Sequence, residues 1–144
     1  MSNHLCVIAA VLAAVLHNRP AQAAEVRVIV SGANDDGGLV QAALCTEQEF
    51  LRLNCRLIAR APVSKHLALL RFDAPIGRYA IAVFHDRFRD GRVHHSLFGI
   101  PSQGVGFSRN PFLFGKPSFS RTAIDVSGKP TAVDVHLRFE PNPR

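Results

Sequence analysis

Beyond its first two dozen residues the sequence has no apolar stretch long enough to cross a membrane. The one long apolar run, residues 5–16, falls well short of the roughly 20 residues that a bilayer-spanning helix needs. A run of this length followed by small residues, here Ala21 and Ala23, is typical of a secretory signal peptide and its cleavage site. We therefore expect residues 1–23 to be a signal peptide, residues 24–144 to be the mature domain, and the protein to be exported to the periplasm or secreted.

Cysteine is scarce, with three residues in the whole chain. Cleavage of the signal peptide removes Cys6 and leaves Cys45 and Cys55. Two thiols are too few for a structural zinc site, and the Cys-x-x-Cys spacing of a redox-active pair is absent. In an oxidising compartment an even pair normally forms a disulfide, so we expect a Cys45–Cys55 bond.

Clusters of one charge are also missing. The chain carries 17 Lys and Arg against 11 Asp and Glu, a net charge of +6, yet the basic residues are scattered and form no stripe with interleaved aromatic residues. This scatter argues against nucleic acid as a partner, while the net charge alone permits attraction to anionic surfaces. No repeat or linker divides the chain, so we expect one domain with a modest core.

Alternating apolar and polar residues predict short β-strands. Residues 25–30 and 39–45 are predicted as two strands, and the turn residues between them predict a hairpin. Thr46 and Glu49 form a capping-box pattern, which predicts one short helix. Further strands are predicted at residues 63–72, 79–84, 121–126 and 131–139, with His136 on the exposed face of the last. About seven short strands separated by turns are typical of an antiparallel immunoglobulin-like or transthyretin-like β-sandwich.

The stretch from Leu97 to Ser120 differs from the rest because it combines many glycines and prolines with many phenylalanines. The glycines and prolines exclude long helices or strands, and the phenylalanines exclude a disordered linker. We interpret it as an ordered loop, which is where binding commonly resides on a rigid sandwich. The alternative is that the rings only plug the end of the sandwich. The candidate binding residues are Phe98, Phe107, Phe112, Phe114 and Phe119.

Several motifs in this order resemble one family. They are Gly38 to Cys45, Pro75-x-Gly77-x-Tyr79, Ala82 to Asp86, Phe98 to Pro101, Gly104-x-Gly106-Phe107-Ser108 and Phe114-Gly115 with Pro117-Ser118-Phe119. Together they cover nearly all of residues 25–139, over which the chain resembles the DUF2141 proteins, small exported bacterial domains of unknown function. The Pro-x-Gly-x-Tyr motif is also similar to that of transthyretin-like and carboxypeptidase-regulatory sandwiches. The resemblance implies an exported β-sandwich and names no reaction.

The resemblance also implies an acidic loop after the His-Asp pair, of a kind that suits calcium because it offers several oxygen ligands from one turn. This chain departs from that pattern. Phe88 replaces an oxygen donor and His94 replaces the last acid. The positive charges of Arg87, Arg89 and Arg92 oppose a cation at this place, so the substitutions disfavour calcium.

A transition-metal site is the sharper alternative for the same loop. Imidazole nitrogens suit zinc or copper, and the candidate ligands are His85, Asp86, Asp90 and His94. Strand alternation sends His95 to the face opposite His94, so the two do not readily ligate together. The favoured interpretation is that Asp86 braces the loop by hydrogen bonds and that the histidines lie at its surface. No cofactor is expected on this interpretation.

A hydrolase is the second alternative, since serines and histidines are frequent around the long loop. The Gly-x-Ser-x-Gly elbow of the α/β-hydrolases is absent. The serines considered are Ser96, Ser102, Ser108, Ser118 and Ser120. We therefore predict a non-catalytic binding or structural module of the cell envelope, with an envelope protein, a glycan or an anionic surface as its partner.

Overall fold

Eight strands and two short helices build the part of the chain that the computed structural model describes, residues 22–94, 103–111 and 116–139. The expected signal peptide lies outside these residues except for its last two positions. The elements are β1 (Ala23–Ser31), β2 (Leu39–Cys45), α1 (Glu47–Arg52), β3 (Leu57–Pro62), β4 (Leu67–Pro75), β5 (Gly77–Asp86), β6 (Val105–Phe107), α2 (Phe119–Thr122), β7 (Ala123–Val126) and β8 (Thr131–His136). The all-β prediction is confirmed, with one more strand and one more helix than expected.

The strands form two sheets that pack face to face. One sheet has the order β4-β1-β8, and the other has the order β3-β2-β5-β6 with β7 also paired to β5. β1 runs antiparallel to β4 and parallel to β8. The predicted hairpin of β1 and β2 is wrong, because β1 and β2 lie in different sheets. The turn-rich residues between them cross from one sheet to the other, and a turn composition alone does not distinguish this from a hairpin.

Alternation along the strands builds the core between the sheets. β1 buries Val26, Val28 and Val30, each at most 1% exposed. Leu44 of β2 and Ile81 of β5 face them from the other sheet and are fully buried. Burying one such side chain contributes about 1.5–3 kcal/mol, so this alternating pattern holds the two sheets together.

The predicted strand over residues 63–72 is a turn followed by a strand. Lys65 and His66 both have positive φ, 50° and 61°, and Ser64 pairs with Leu67 across them. Such a tight turn normally favours Asn and Gly. Here Asp36 compensates, because its Oδ1 accepts the backbone N–H of His66 at 2.7 Å. This turn joins β3, which the sequence analysis missed, to β4.

A cap of two short helices covers one end of the outer face of the five-stranded sheet. Thr46 caps α1, and Glu49 closes the capping box, which confirms the predicted helix start. The predicted Cys45–Cys55 disulfide is present, with the two Cα atoms 4.9 Å apart. Phe50 of α1 and Phe119 of α2 pack together in this cap. Among the described residues no helix has the length and apolar character that a membrane span requires.

Candidate functional site: the 86–94 loop and an outer groove

The loop after β5 is braced by the carboxylate of Asp86. This side chain is 2% exposed, and its two oxygens accept the backbone N–H groups of Asp90, at 3.2 Å, and Gly91, at 2.7 Å. Both carboxylate oxygens are therefore engaged in holding the turn, which is the bracing role that the sequence favoured for this residue.

His85 points away from the loop and ties β5 to the β1–β2 connection. Its ring is fully buried, and its Nε2 lies 2.7 Å from the carbonyl oxygen of Gly37. Because a carbonyl only accepts, Nε2 donates its N–H in this hydrogen bond. Nδ1 is buried and has no hydrogen-bond partner. His85 is thus a buried structural histidine. The prediction from the sequence, which placed this histidine at the surface of the loop, is wrong.

Asp90 and His94 contact each other across the loop. The Asp90 Oδ2 and His94 Nε2 atoms are 2.7 Å apart, and the His94 ring stands edge-on to Phe88 at 5.0 Å between centroids. The backbone N–H of Arg92, and then the side chain of His94, hold the pKa of Asp90 below its ordinary value. The backbone N–H of His94 donates to the side-chain oxygen of Gln103 at 3.3 Å, so the loop is tied to the segment that leads into β6.

The four predicted metal ligands therefore have different surroundings. Asp90 and His94 meet, Asp86 serves the loop backbone, and His85 serves Gly37. Within residues 22–94, 103–111 and 116–139, no group of three or more His, Cys, Asp or Glu side chains is placed to hold a metal ion. What the structure brings together from the predicted set is one carboxylate–imidazole pair.

The middle of the outer face of the five-stranded sheet carries an apolar groove. Two rows of directly opposed residues cross this face of the sheet from β3 to β6, and their members on β2, β5 and β6 line the groove. The rows are Arg60–Gln41–Phe84–Val105 and Ile58–Ala43–Ala82–Phe107. The two alanines lie side by side at the centre of the second row, and their small side chains leave a depression between the larger neighbours. The depression follows directly from the register of three strands.

The groove is bounded at both ends. Phe107 stands edge-on to Phe50 of the helical cap, with 6.3 Å between ring centroids. At the opposite end Val93 of the 86–94 loop forms the wall. The groove has a volume of about 160 Å³, and its described lining is apolar apart from the side chain of Gln41.

The positively charged side chain of Arg60 lies at the β3 side of the groove. The Nε–H of Arg60 donates to Oε1 of Gln41 at 2.7 Å, which fixes the guanidinium beside the groove wall. Its Nη2 also approaches Gly91 of the loop, since a Cβ built on that glycine would lie 4.0 Å from it. Arg60 forms no ion pair with any carboxylate of the described residues. The groove thus combines an apolar floor with one oriented positive charge.

Comparison with known proteins identifies the family. The sequence model of a family described as uncharacterized proteins conserved in bacteria, DUF2141, matches residues 28–134. The chain belongs to the DUF2141 family. No curated protein and no solved structure matches it. The match covers the strands that carry the groove and the whole of the 86–94 loop.

The phenylalanines predicted as a binding loop divide into two groups in this DUF2141 domain. Phe119 is 6% exposed and packs against Phe50, so it fills the cap. Phe107 is half-buried and contributes to both the cap and the groove. Phe98, Phe112 and Phe114 lie outside the described residues. The 97–120 stretch is also more regular than expected, since it contains β6 and the start of α2.

The serines of the DUF2141 domain give little support to a nucleophile. The buried Ser108 hydroxyl accepts the backbone N–H of Ile81 and donates to the carbonyl of Thr122. A Ser–His contact that the sequence analysis missed occurs instead between Ser31 Oγ and His136 Nδ1, 3.1 Å apart on neighbouring strands. No described Asp or Glu lies within hydrogen-bonding distance of His136 to orient it, which a nucleophile–base pair requires. Ser96 and Ser102 lie outside the described residues.

The groove itself was missed because its residues look like core residues in the sequence. Residues 79–84 are nearly all apolar, which is typical of a central strand, and this composition gives no sign of which side chains face outward. In the structure Ala82 and Phe84 are only half-buried on the outer face. What reveals the groove is that Ala82 pairs with Ala43, and Phe84 with Gln41, on the outer face of the sheet. These pairs become visible only once the register is known.

Proposed function

We propose that the protein is an exported, non-catalytic binding domain of the bacterial cell envelope, and that the outer groove holds an apolar group of its partner. The observation that carries the proposal is the apolar depression over Ala43 and Ala82, bounded by the cap and the loop on a rigid sheet. Apolar surface on a sheet face is normally covered or functional. A groove whose walls are fixed by strand register needs little ordering when it binds, which lowers the entropic cost of association.

Two buried side chains with structural roles support the proposal that the domain is non-catalytic. The Asp86 carboxylate and the Ser108 hydroxyl, both buried, make hydrogen bonds that hold backbone segments in place. Groups used in this way are not available to accept a proton from a substrate or to attack one.

Two features support export. Cleavage after Ala23 leaves Ala24 and the rest of β1 in place, so the mature chain retains this central strand. The Cys45–Cys55 disulfide fits an oxidising compartment. The test is expression with the natural N-terminus in a bacterial host: we expect the purified periplasmic protein to begin at Ala24. A full-length chain that stays in the cytoplasm with free thiols would contradict export.

The groove is tested by titrating the exported protein with p-cresol while recording amide and methyl NMR spectra. A single ring of this size is expected to bind with a Kd of about 1 mM or weaker, shifting the methyl signals of Ala43 and Ala82. Ala82→Leu fills the depression and should abolish the shifts. Ala132→Leu adds the same bulk to the exposed outer face of β8 and should leave them unchanged. Shifts that survive Ala82→Leu, or that fall on the other sheet, would refute the proposal.

A second candidate function is transition-metal binding, and the Asp90–His94 contact favours it. The pair supplies one carboxylate and one imidazole at 2.7 Å in an exposed loop, and both are ligands that zinc and copper accept. Calorimetric titration with zinc and with copper tests it, using His94→Gln and, as a matched change elsewhere, His136→Gln. We expect binding that is lost only in His94→Gln; no heat at metal concentrations up to about 100 µM would end the idea.

A further inference from the structure

We propose that the groove binds an extended acidic segment of a partner polypeptide, with an aromatic side chain in the depression and the carboxylate of an acidic residue two positions away on Arg60. This inference rests on the proposed function, because it specifies the chemistry of the partner that the groove receives. It draws on the size of the depression, the charge at its edge and the spacing between the two.

The size of the groove fits one ring. Its volume is about 160 Å³, and an apolar protein cavity of about 150 Å³ is known to hold a benzene molecule. The floor alanines and the flanking Phe84 and Phe107 present apolar surface to the faces and the edge of such a ring. An aromatic side chain fills this space, whereas a larger ligand extends beyond it.

The charge at the edge of the groove selects an anion. Arg60 is oriented by Gln41 and has no ion-pair partner among the described residues, while the described residues that line the groove include no Asp or Glu. A carboxylate placed here gains a charge-assisted hydrogen bond from a guanidinium that is already held in position.

The spacing fits an extended chain. Arg60 lies on β3, one to two strand spacings of about 4.8 Å from the depression between β2 and β5, and in the neighbouring row, two residues along the strands. Side chains at positions i and i+2 of an extended peptide lie on one side and about 6.6 Å apart. An extended peptide that runs along the strands therefore steps from the row of Ala82 to the row of Arg60 between its aromatic and its acidic residue, so the acidic side chain faces Arg60 across one to two strand spacings.

A polypeptide suits the site better than a free small molecule. Small-molecule pockets are generally larger, about 300–1,000 Å³, and bury most of their ligand, while this groove is open along its length. Protein partners commonly insert one aromatic anchor into such a depression and gain the rest of their affinity from the surrounding surface. That surface extends over β3, which is the outermost of the described strands in its sheet and exposes Ile58 at 40%.

The experiment compares three eight-residue Gly/Ser peptides that contain Phe-Ser-Glu, Phe-Ser-Gln or Ala-Ser-Glu. Each is titrated into the exported protein and followed by NMR. We expect Phe-Ser-Glu to bind about three- to fivefold tighter than Phe-Ser-Gln, as an exposed ion pair provides, and Ala-Ser-Glu to show no saturable binding. Arg60→Glu should remove the preference for Glu over Gln. The matched variant Arg71→Glu changes the same charge on the exposed outer face of β4 and should preserve it.

The outcomes separate the two proposals. If p-cresol binds over Ala82 but the peptides show no preference for Glu, or the preference survives Arg60→Glu, this inference is overturned and the proposed function stands. If neither p-cresol nor the peptides bind the natural chain, both proposals fail. Binding that is seen only after Phe98→Ala would mean that the chain's own loop occupies the groove, which overturns both as well.

Discussion

His85 and Gly37 are joined by a hydrogen bond of 2.7 Å that connects the end of β5 to the β1–β2 connection. The bond is made by a fully buried ring, and it requires a proton on Nε2 because the carbonyl oxygen only accepts. It also anchors the beginning of the 86–94 loop, because Asp86 follows directly and braces that loop. The end of the sandwich that bears the loop is therefore held from the core side by an imidazole.

Removing this ring should destabilise the whole domain. His85→Ala leaves a cavity and an unpaired carbonyl at Gly37, so we expect the free energy of unfolding to fall by about 2–4 kcal/mol. Urea denaturation of His85→Ala, with His136→Ala at an exposed position as the control, measures the difference. A loss below about 1 kcal/mol, or a long-range ¹⁵N NMR spectrum showing the proton on Nδ1, would contradict this role.

Gly38 is predicted to be irreplaceable, while Gly91 is not. Both have positive φ, 74° and 70°, so alanine costs each about 1 kcal/mol in backbone strain. At Gly38 a Cβ would also lie 2.4 Å from the carbonyl oxygen of Asp86, whereas at Gly91 its nearest neighbour would be 4.0 Å away. Thermal unfolding should show a much larger loss for Gly38→Ala than for Gly91→Ala. Equal losses in the two variants would show that the close approach is relieved without cost.

The Cys45–Cys55 bond should stabilise the cap without contributing to the groove floor. Its closed loop is short, with a sequence separation of 10, and the chain-entropy model gives about 2–3 kcal/mol for such a loop. Replacing both cysteines by alanine should lower the unfolding midpoint and leave the p-cresol shifts of Ala43 and Ala82 in place. Loss of those shifts in a variant that remains folded would show that the cap shapes the groove.

The Asp90–His94 contact predicts a weakening of the loop in acid. The pKa of Asp90 is lowered in the folded chain, first by the Arg92 N–H and then by His94. Its contribution to stability is therefore complete above the ordinary Asp pKa of about 4 and is lost as the pH falls through the lower folded value. NMR titration of the Asp90 carboxyl should give a midpoint below the ordinary Asp pKa of about 4. A midpoint at or above that ordinary value would contradict the geometry.

Local patterns predicted the fold class and several elements correctly. β2 was predicted at its observed bounds, and the capping box of Thr46 begins α1 as expected, because both depend on residues close together in the chain. The pairing of β1 was predicted wrongly, since its partners come from β4 and β8, far along the sequence. β3 was missed because its inward side chains are small, with alanine at positions 59 and 61.

The candidate site was predictable only in part. Asp86 was correctly expected to brace the loop, because an Asp four or five residues before free backbone N–H groups has an obvious local role. The burial of His85 and the floor of Ala43 and Ala82 depend on which sheet face each strand turns outward and on the register between strands. Those relations arise from long-range packing, and a single sequence contains no local signal for them.

The most direct test of the groove is an isotope-filtered NOE experiment on ¹³C-labelled protein saturated with the unlabelled Phe-Ser-Glu peptide. Protons within about 5 Å give such contacts, a distance comparable to one strand spacing. Our account predicts contacts from the peptide's aromatic ring to the methyl groups of Ala43, Ala82 and Val105. Contacts instead to the exposed Leu67 and Leu69 on the opposite sheet, or no contacts at all at saturation, would contradict it.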